Sequence, residues 1–261
     1  MPVTLDQILS STRRDLDTLR ARRASLERDV QNGRAAPPFG AALRRDTVAV
    51  IAEVKRRSPS AGSIREDLDS AARALLYAEH GAAAISVLTD GPYFGGSIDD
   101  LREAVRRVPV PVLRKDFILD EIQVLEARAA GAAAVLLIVR ALGIRLRPLL
   151  RYAADLGLDA LVEVHTLNEL GSALDAGATI VGVNSRDLDT FTIDMDAAFE
   201  IVSRVPSDCI AVAESGLAGE GDVVRAARVG ADAVLIGTAL SAAGSPETLL
   251  EELTRVPRRD R

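Results

Sequence analysis

Residues 121–139 read EIQVLEARAAGAAAVLLIV. The first ten mix apolar and charged side chains as an amphipathic helix does, and Gly131 suits the left-handed position that ends one. Residues 134–139 follow as an apolar run without alternation, the pattern of a parallel strand buried on both faces. The Ala-Gly-Ala corner at 130–132 returns at 176–178, and Val-Gly-Ala stands at 229–231. Each copy lies between a helical stretch and the next apolar run, so one helix-to-strand corner recurs along the chain.

Working outward, strands are expected at 48–54, 83–88, 110–114, 134–139, 160–164, 180–183, 210–213 and 233–236. Helical patterns lie between and after them, at 68–80, 98–107, 121–130, 146–156, 167–176, 195–205, 220–229 and 246–254. Eight strand-then-helix units define an α/β chain folded as a (β/α)8 TIM barrel. An open doubly wound sheet is the alternative, but no Gly-rich dinucleotide turn follows the first strand. In residues 1–46, Leu5, Ile8, Leu9, Leu16, Leu19, Leu26 and Val30 indicate one or two helices, joined on by a connector at 33–40. That stretch has too few apolar residues for a core of its own. It is expected as an N-terminal helical extension capping the barrel, with 47–261 forming the catalytic barrel.

The length of 261 residues suits one such barrel, and 48% apolar with 27% charged residues is globular composition. One cysteine, Cys209, and two histidines, His80 and His165, exclude disulfide frameworks, multi-cysteine clusters and histidine-rich metal centres. A net charge of −6 argues against non-specific nucleic-acid binding. No apolar run approaches the roughly 20 residues of a membrane span, and the N-terminus lacks the pattern of a secretory leader. A cytoplasmic protein acting on a small molecule is expected, with no nucleic-acid or membrane partner.

Of 32 basic residues only Lys55 and Lys115 are lysine. Arginine serves every other cationic position, so these two need a reason. A lysine can transfer a proton or attack a carbonyl, whereas arginine stays protonated. Both fall at the C-terminal ends of expected strands, where barrel proteins carry their chemistry. Glu53 and Lys55 end strand one, Lys115 ends strand three, Glu163 strand five, Asn184 and Arg186 strand six, and Glu214 strand seven. Glu53 and Lys55 are two apart, so both face the barrel interior, as either a structural ion pair or a tuned acid/base pair. Three carboxylates, two ammoniums and an amide on one rim indicate acid–base chemistry on a polar substrate. The two lysines would repel a divalent cation, so no metal is expected.

Ser215 and Gly216 after strand seven, and Gly237 and Thr238 after strand eight, are small enough for an anion to approach the backbone. Ser58 or Lys55 is placed to close that phosphate site. Blander readings fit the remaining residues: a rim or structural role for His165, a helix cap for His80, core for Cys209, and a solvated helix face for the Arg-rich stretch 13–28.

The stretch Ile51-Ala52-Glu53-Val54-Lys55-Arg56-Arg57-Ser58-Pro59-Ser60 resembles the signature of the indole-3-glycerol phosphate synthase family. So do Ser86-Val87-Leu88-Thr89-Asp90, Tyr93-Phe94-Gly95-Gly96 and Pro111-Val112-Leu113-Arg114-Lys115-Asp116-Phe117, and later Leu161–His165, Gly182–Asn184 and Ala213–Gly216. The resemblance spans about residues 47 to 240. It implies cofactor-free closure of an indole ring from 1-(2-carboxyphenylamino)-1-deoxyribulose 5-phosphate, with loss of carbon dioxide and water. Lys115 would then be the general acid at the ribulose carbonyl. Glu163, Lys55 and Glu53 would share the acid and base work of dehydration, with Asn184 and Glu214 positioning substrate hydroxyls and neighbouring charges. Lys55, Gly216, Gly237 and Thr238 would hold the phosphate, with Ser58, Ser215 and Arg186 also binding substrate, while Phe117 and Pro59 flank the aromatic ring. Departures from the family pattern fall at Gly91, Ser185 and Thr238, and none removes an ionisable group.

The resemblance also leaves room for a monomer that associates with other tryptophan-pathway enzymes. Two competing readings are a Schiff-base aldolase or isomerase of sugar phosphates and a catalytically silent barrel that binds a metabolite or a partner enzyme.

Overall fold

The computed structural model describes residues 3–59, 62–65 and 67–259, so Ser60 of the first motif lies outside the described residues. Thr4 opens the chain's first helix, α1 (Leu5–Arg20), in a reciprocal capping box with Gln7. Helix α2 (Arg23–Asn32) follows, and Leu16 and Leu26 of this pair pack with Ile122 and Leu125 in a small apolar cluster. Leu5, Ile8 and Leu9 instead join the main core.

The repeating units then run β1 (Ala49–Val54), α3 (Ser70–Glu79), β2 (Ala84–Leu88), α4 (Ile98–Arg107), β3 (Val112–Lys115), α5 (Glu121–Ala129), β4 (Ala134–Ile138) and α6 (Leu146–Asp155). They continue as β5 (Asp159–Val164), α7 (Leu167–Ala176), β6 (Ile180–Asn184), α8 (Met195–Val202), β7 (Ile210–Glu214), α9 (Glu220–Arg228), β8 (Ala233–Ile236) and α10 (Pro246–Leu253). The eight strands close into one barrel, with β1 hydrogen-bonded in parallel to both β2 and β8. Closure leaves the barrel itself without an edge strand, and the doubly wound alternative falls away.

Observed element ends differ from the expected ones for local reasons. β3 begins at Val112 because Pro111 has no N–H to give the ladder, although its carbonyl accepts from Ile85. α8 ends at Val202, ahead of Pro206, which disfavours helical backbone in the residue before it. Val139, expected as strand, opens a helical turn instead (Val139–Leu142). The corners behave as the sequence indicates: Gly131 and Gly177 have φ of +88° and +98°, a region that costs other residues strain.

Cys209 is core, and His80 caps α3 with its Nδ1 2.8 Å from Glu251 Oε1. Among the described residues no helix is long and apolar enough to cross a membrane.

Candidate active site

Glu53 is buried at the end of β1, and Lys55 Nζ lies 3.0 Å from its Oε1. The carboxylate has room because residue 237 is glycine; a methyl group there would collide with Glu53. Gly182 on β6 makes the same allowance for Glu214, which ends the neighbouring strand β7. Lys115, at the end of β3, reaches across the mouth to two carboxylates. Its Nζ is 3.4 Å from Glu163 Oε2 and 3.6 Å from Glu214 Oε2.

A buried polar network fixes the segment that carries Lys115. Arg114 is 3.0 Å from both Asp116 Oδ2 and Glu126 Oε2, and donates to the Gln123 carbonyl at 2.7 Å. The Gln123 side chain holds the following loop by accepting from Leu119 N–H and donating to the Phe117 carbonyl. Lys115 and Phe117 therefore sit on a backbone anchored from below. On β6, Asn184 hydrogen-bonds Glu163 and accepts from the Arg186 N–H. The Arg186 guanidinium donates to the Phe191 carbonyl, which ties down the loop after β6. Ser215 and Gly216, after β7, both have positive φ, at 64° and 74°. For a serine that backbone is uncommon, and such positions concentrate at functional sites.

These groups surround one cavity of about 380 Å³, and all fourteen residues picked out from the sequence line it. Glu53, Lys55, Ser58 and Pro59 come from the β1 end, and Lys115 and Phe117 from β3. Glu163, Asn184 and Arg186 close one side, and Glu214, Ser215, Gly216, Gly237 and Thr238 the other. His165 is not among the lining residues; its buried ring lies behind Glu163.

The sequence reading missed several lining residues. Leu5 and Ile8 arrive from α1, and Leu188, Phe191 and Ile193 from the loop after β6. Phe94, 6.1 Å from Phe117 between ring centroids, completes an aromatic pair. A signal was present: three of the chain's five phenylalanines, with no tryptophan, line this cavity.

The cluster divides its charges unequally. Burial alone would push Glu53 up, but Lys55 and Lys115 hold it below the usual carboxylate range. Burial acts to lower Lys115, yet Glu163, Glu214 and Glu53 together raise it above an ordinary lysine. Burial also opposes ionisation of Glu163, which Lys115, His165 and Asn184 overcome, holding it low. Glu214 goes the other way: burial and then the Glu163 charge push it up to about 8. Glu53 and Glu163 are thus favoured as carboxylates beside Lys115, while Glu214 is pushed toward the neutral acid. Among the described residues no three His, Cys, Asp or Glu are grouped to hold a metal ion.

A closed (β/α)8 barrel with paired ammonium and carboxylate groups at the C-terminal mouth defines a class, the acid–base barrels. The family model for indole-3-glycerol phosphate synthase matches residues 5–253, and the chain belongs to that family. It is 46% identical over 252 residues to the indole-3-glycerol phosphate synthase of Mycobacterium ulcerans, covering 95% of this chain and 93% of that protein. The Parafrankia protein of that name is 48% identical over 254 residues, covering 95% and 94%. The one from Leptospira interrogans is 50% identical over 197 residues, covering 75% and 78%. A thiamine phosphate pyrophosphorylase from Pyrococcus furiosus shares the fold at 20% identity, with a TM-score of 0.59 over 81% of this chain and 95% of that one.

Proposed function

We propose that this chain is an indole-3-glycerol phosphate synthase, converting 1-(2-carboxyphenylamino)-1-deoxyribulose 5-phosphate to indole-3-glycerol phosphate, carbon dioxide and water. The observation that carries the reading is the Lys115 ammonium, held between Glu163 and Glu214 at the mouth of the cavity. As the carboxyl-bearing ring carbon attacks the ribulose carbonyl, Lys115 gives its proton to the carbonyl oxygen, which becomes a hydroxyl. Departure of carbon dioxide from that carbon returns the electron pair to the ring. Dehydration then needs a proton for the leaving hydroxyl and a base for the neighbouring hydrogen. Glu163, kept ionised, is suited to be the base, and the Lys55–Glu53 pair to supply the proton.

The remaining lining residues suit the ends of the substrate. The Phe94–Phe117 pair and Pro59 offer an apolar wall to the aminobenzoate ring. Ser215, Gly216, Gly237 and Thr238 leave space for a phosphate near backbone, with Lys55 and Ser58 after the adjacent strand β1. Arg186, the one guanidinium among the described lining residues, is available as a fork for an anionic group of the substrate. In this reading 47–261 is the catalytic barrel, and 1–46 closes its mouth through Leu5 and Ile8. A Schiff-base mechanism needs a neutral amine, and the carboxylates around Lys115 favour the ammonium instead.

The test is Lys115→Ala. It is expected to lower ring closure by at least about a thousandfold, within the range that positioned proton transfer contributes, while unfolding like the wild type. Near-normal turnover in this variant would remove Lys115 from the acid role.

A further inference from the structure

Glu163 and Glu214 stand against the same ammonium, and two neighbouring buried carboxylates do not both ionise cheaply. Something must decide which keeps the proton. Lys115 donates to Glu163 and Asn184 also hydrogen-bonds it, so both favour charge on Glu163, and a third group adds to them. The two carboxylates differ in their second oxygen. Glu163 Oε1 lies 3.5 Å from His165 Nε2, an ion-pair contact without a hydrogen bond, whereas the one ion pair of Glu214 among the described residues is with Lys115. The other ring nitrogen, Nδ1, lies 3.4 Å from Glu169 Oε2, and that oxygen also accepts the His165 backbone N–H at 2.6 Å. The imidazole is thus held between two carboxylates, with its side chain only 6% exposed. A merely space-filling side chain here would avoid the cost of burying a polar ring.

We infer that His165, braced by Glu169, is a positioning residue that holds Glu163 as the ionised base and leaves the proton on Glu214, a role that rests on the synthase reading above. His165 does not line the cavity and acts only through Glu163. The groups facing this unit are Glu163 beside the ring on β5, Glu169 on α7 and Arg140 in the turn after β4. Those facing Glu163 are Lys115 on β3, Asn184 on β6, Glu214 on β7 and Glu53 on β1. Arg140 is itself engaged by Asp187 and Asp189, at 3.5 and 2.6 Å. Removing the imidazole takes a cationic neighbour from Glu163, so Glu163 holds its proton to higher pH and the base is lost on the acid side.

The experiment compares kcat and KM across about pH 4 to 8 for the wild type, His165→Leu, His165→Gln and Glu169→Gln. In His165→Leu the acid limb of kcat should move up by about one pH unit, about tenfold in rate below that limb. The loss should recover on the alkaline side, with KM within about twofold. His165→Gln, polar but uncharged, should shift the limb in the same direction as His165→Leu. Glu169→Gln should shift the limb in the same direction and by less. Should His165→Leu not fold, Glu169→Gln and His165→Gln carry the test. An active wild type whose acid limb stays put in these variants would overturn the role, as would an equal loss at every pH in His165→Leu and His165→Gln. A wild type that closes no ring overturns the synthase reading itself, and the two failures are told apart by that one control.

Discussion

Lys115 stays protonated because Glu163, Glu214 and Glu53 outweigh the burial that would neutralise it. The general acid proposed at Lys115 must carry its proton when substrate arrives, and this arrangement favours that at the expense of donor strength. The glycines beside the carboxylates are as specific to the site as the charges. In Gly182→Ala the new methyl meets the Glu214 carboxyl, the movable end of a side chain, rather than backbone. Turnover should fall by about a hundredfold through misplacement of the acid, while urea unfolding shows a loss of only about 1–2 kcal/mol. Stability loss without activity loss would mean that Glu214 needs no fixed position. At this scale the sequence was informative where composition singled residues out. Two lysines among thirty-two cations mark Lys55 and Lys115, and the strand-end positions add Glu53, Glu163 and Glu214. Phe94 reaches the cavity from a one-turn helix and Leu188 and Phe191 from a loop, and neither is long or regular enough to leave a periodic trace.

The strand β3 and the loop after it show how an element serves one side chain. Arg114 is buried with Asp116 and Glu126, and its removal would leave Asp116 without its cation and Glu126 with the half-exposed Arg22 alone. Arg114→Met should therefore cost about 3–5 kcal/mol in equilibrium unfolding and weaken turnover through Lys115 and Phe117. A stability within about 0.5 kcal/mol of wild type would show that the network is dispensable. Apolar runs and glycine corners made every barrel strand and its helix legible, because burial on both faces writes a plain pattern. The turns Gly91–Phe94, Val139–Leu142 and Thr238–Ala242 were not, being too short for a helical period to register.

Across the whole molecule, barrel closure follows from eight units and a first strand able to pair on both sides, which no local window displays. The rim also couples folding to pH, with opposite signs for different groups. Glu53 and Glu163 are held low, so their contribution is present above the ordinary carboxylate range and lost as pH falls through their folded values. Glu214 is raised to about 8, so its contribution is whole below the ordinary range and is lost as pH rises through about 8. Glu214→Gln should then unfold at a higher temperature than wild type above about pH 8, with the gap closing near pH 5. A constant gap, or a reversed one, would show that Glu214 is not the protonated partner.

The central claim is that this barrel closes an indole ring, and the absence of tryptophan allows a direct view of it. Purified protein is mixed with 1-(2-carboxyphenylamino)-1-deoxyribulose 5-phosphate while indole and anthranilate emission are followed together. Indole emission should grow as anthranilate emission decays, with no protein indole to mask it. No growth of indole emission and no decay of anthranilate emission, with the protein folded and substrate bound, would contradict the claim and leave a barrel that binds without turning over.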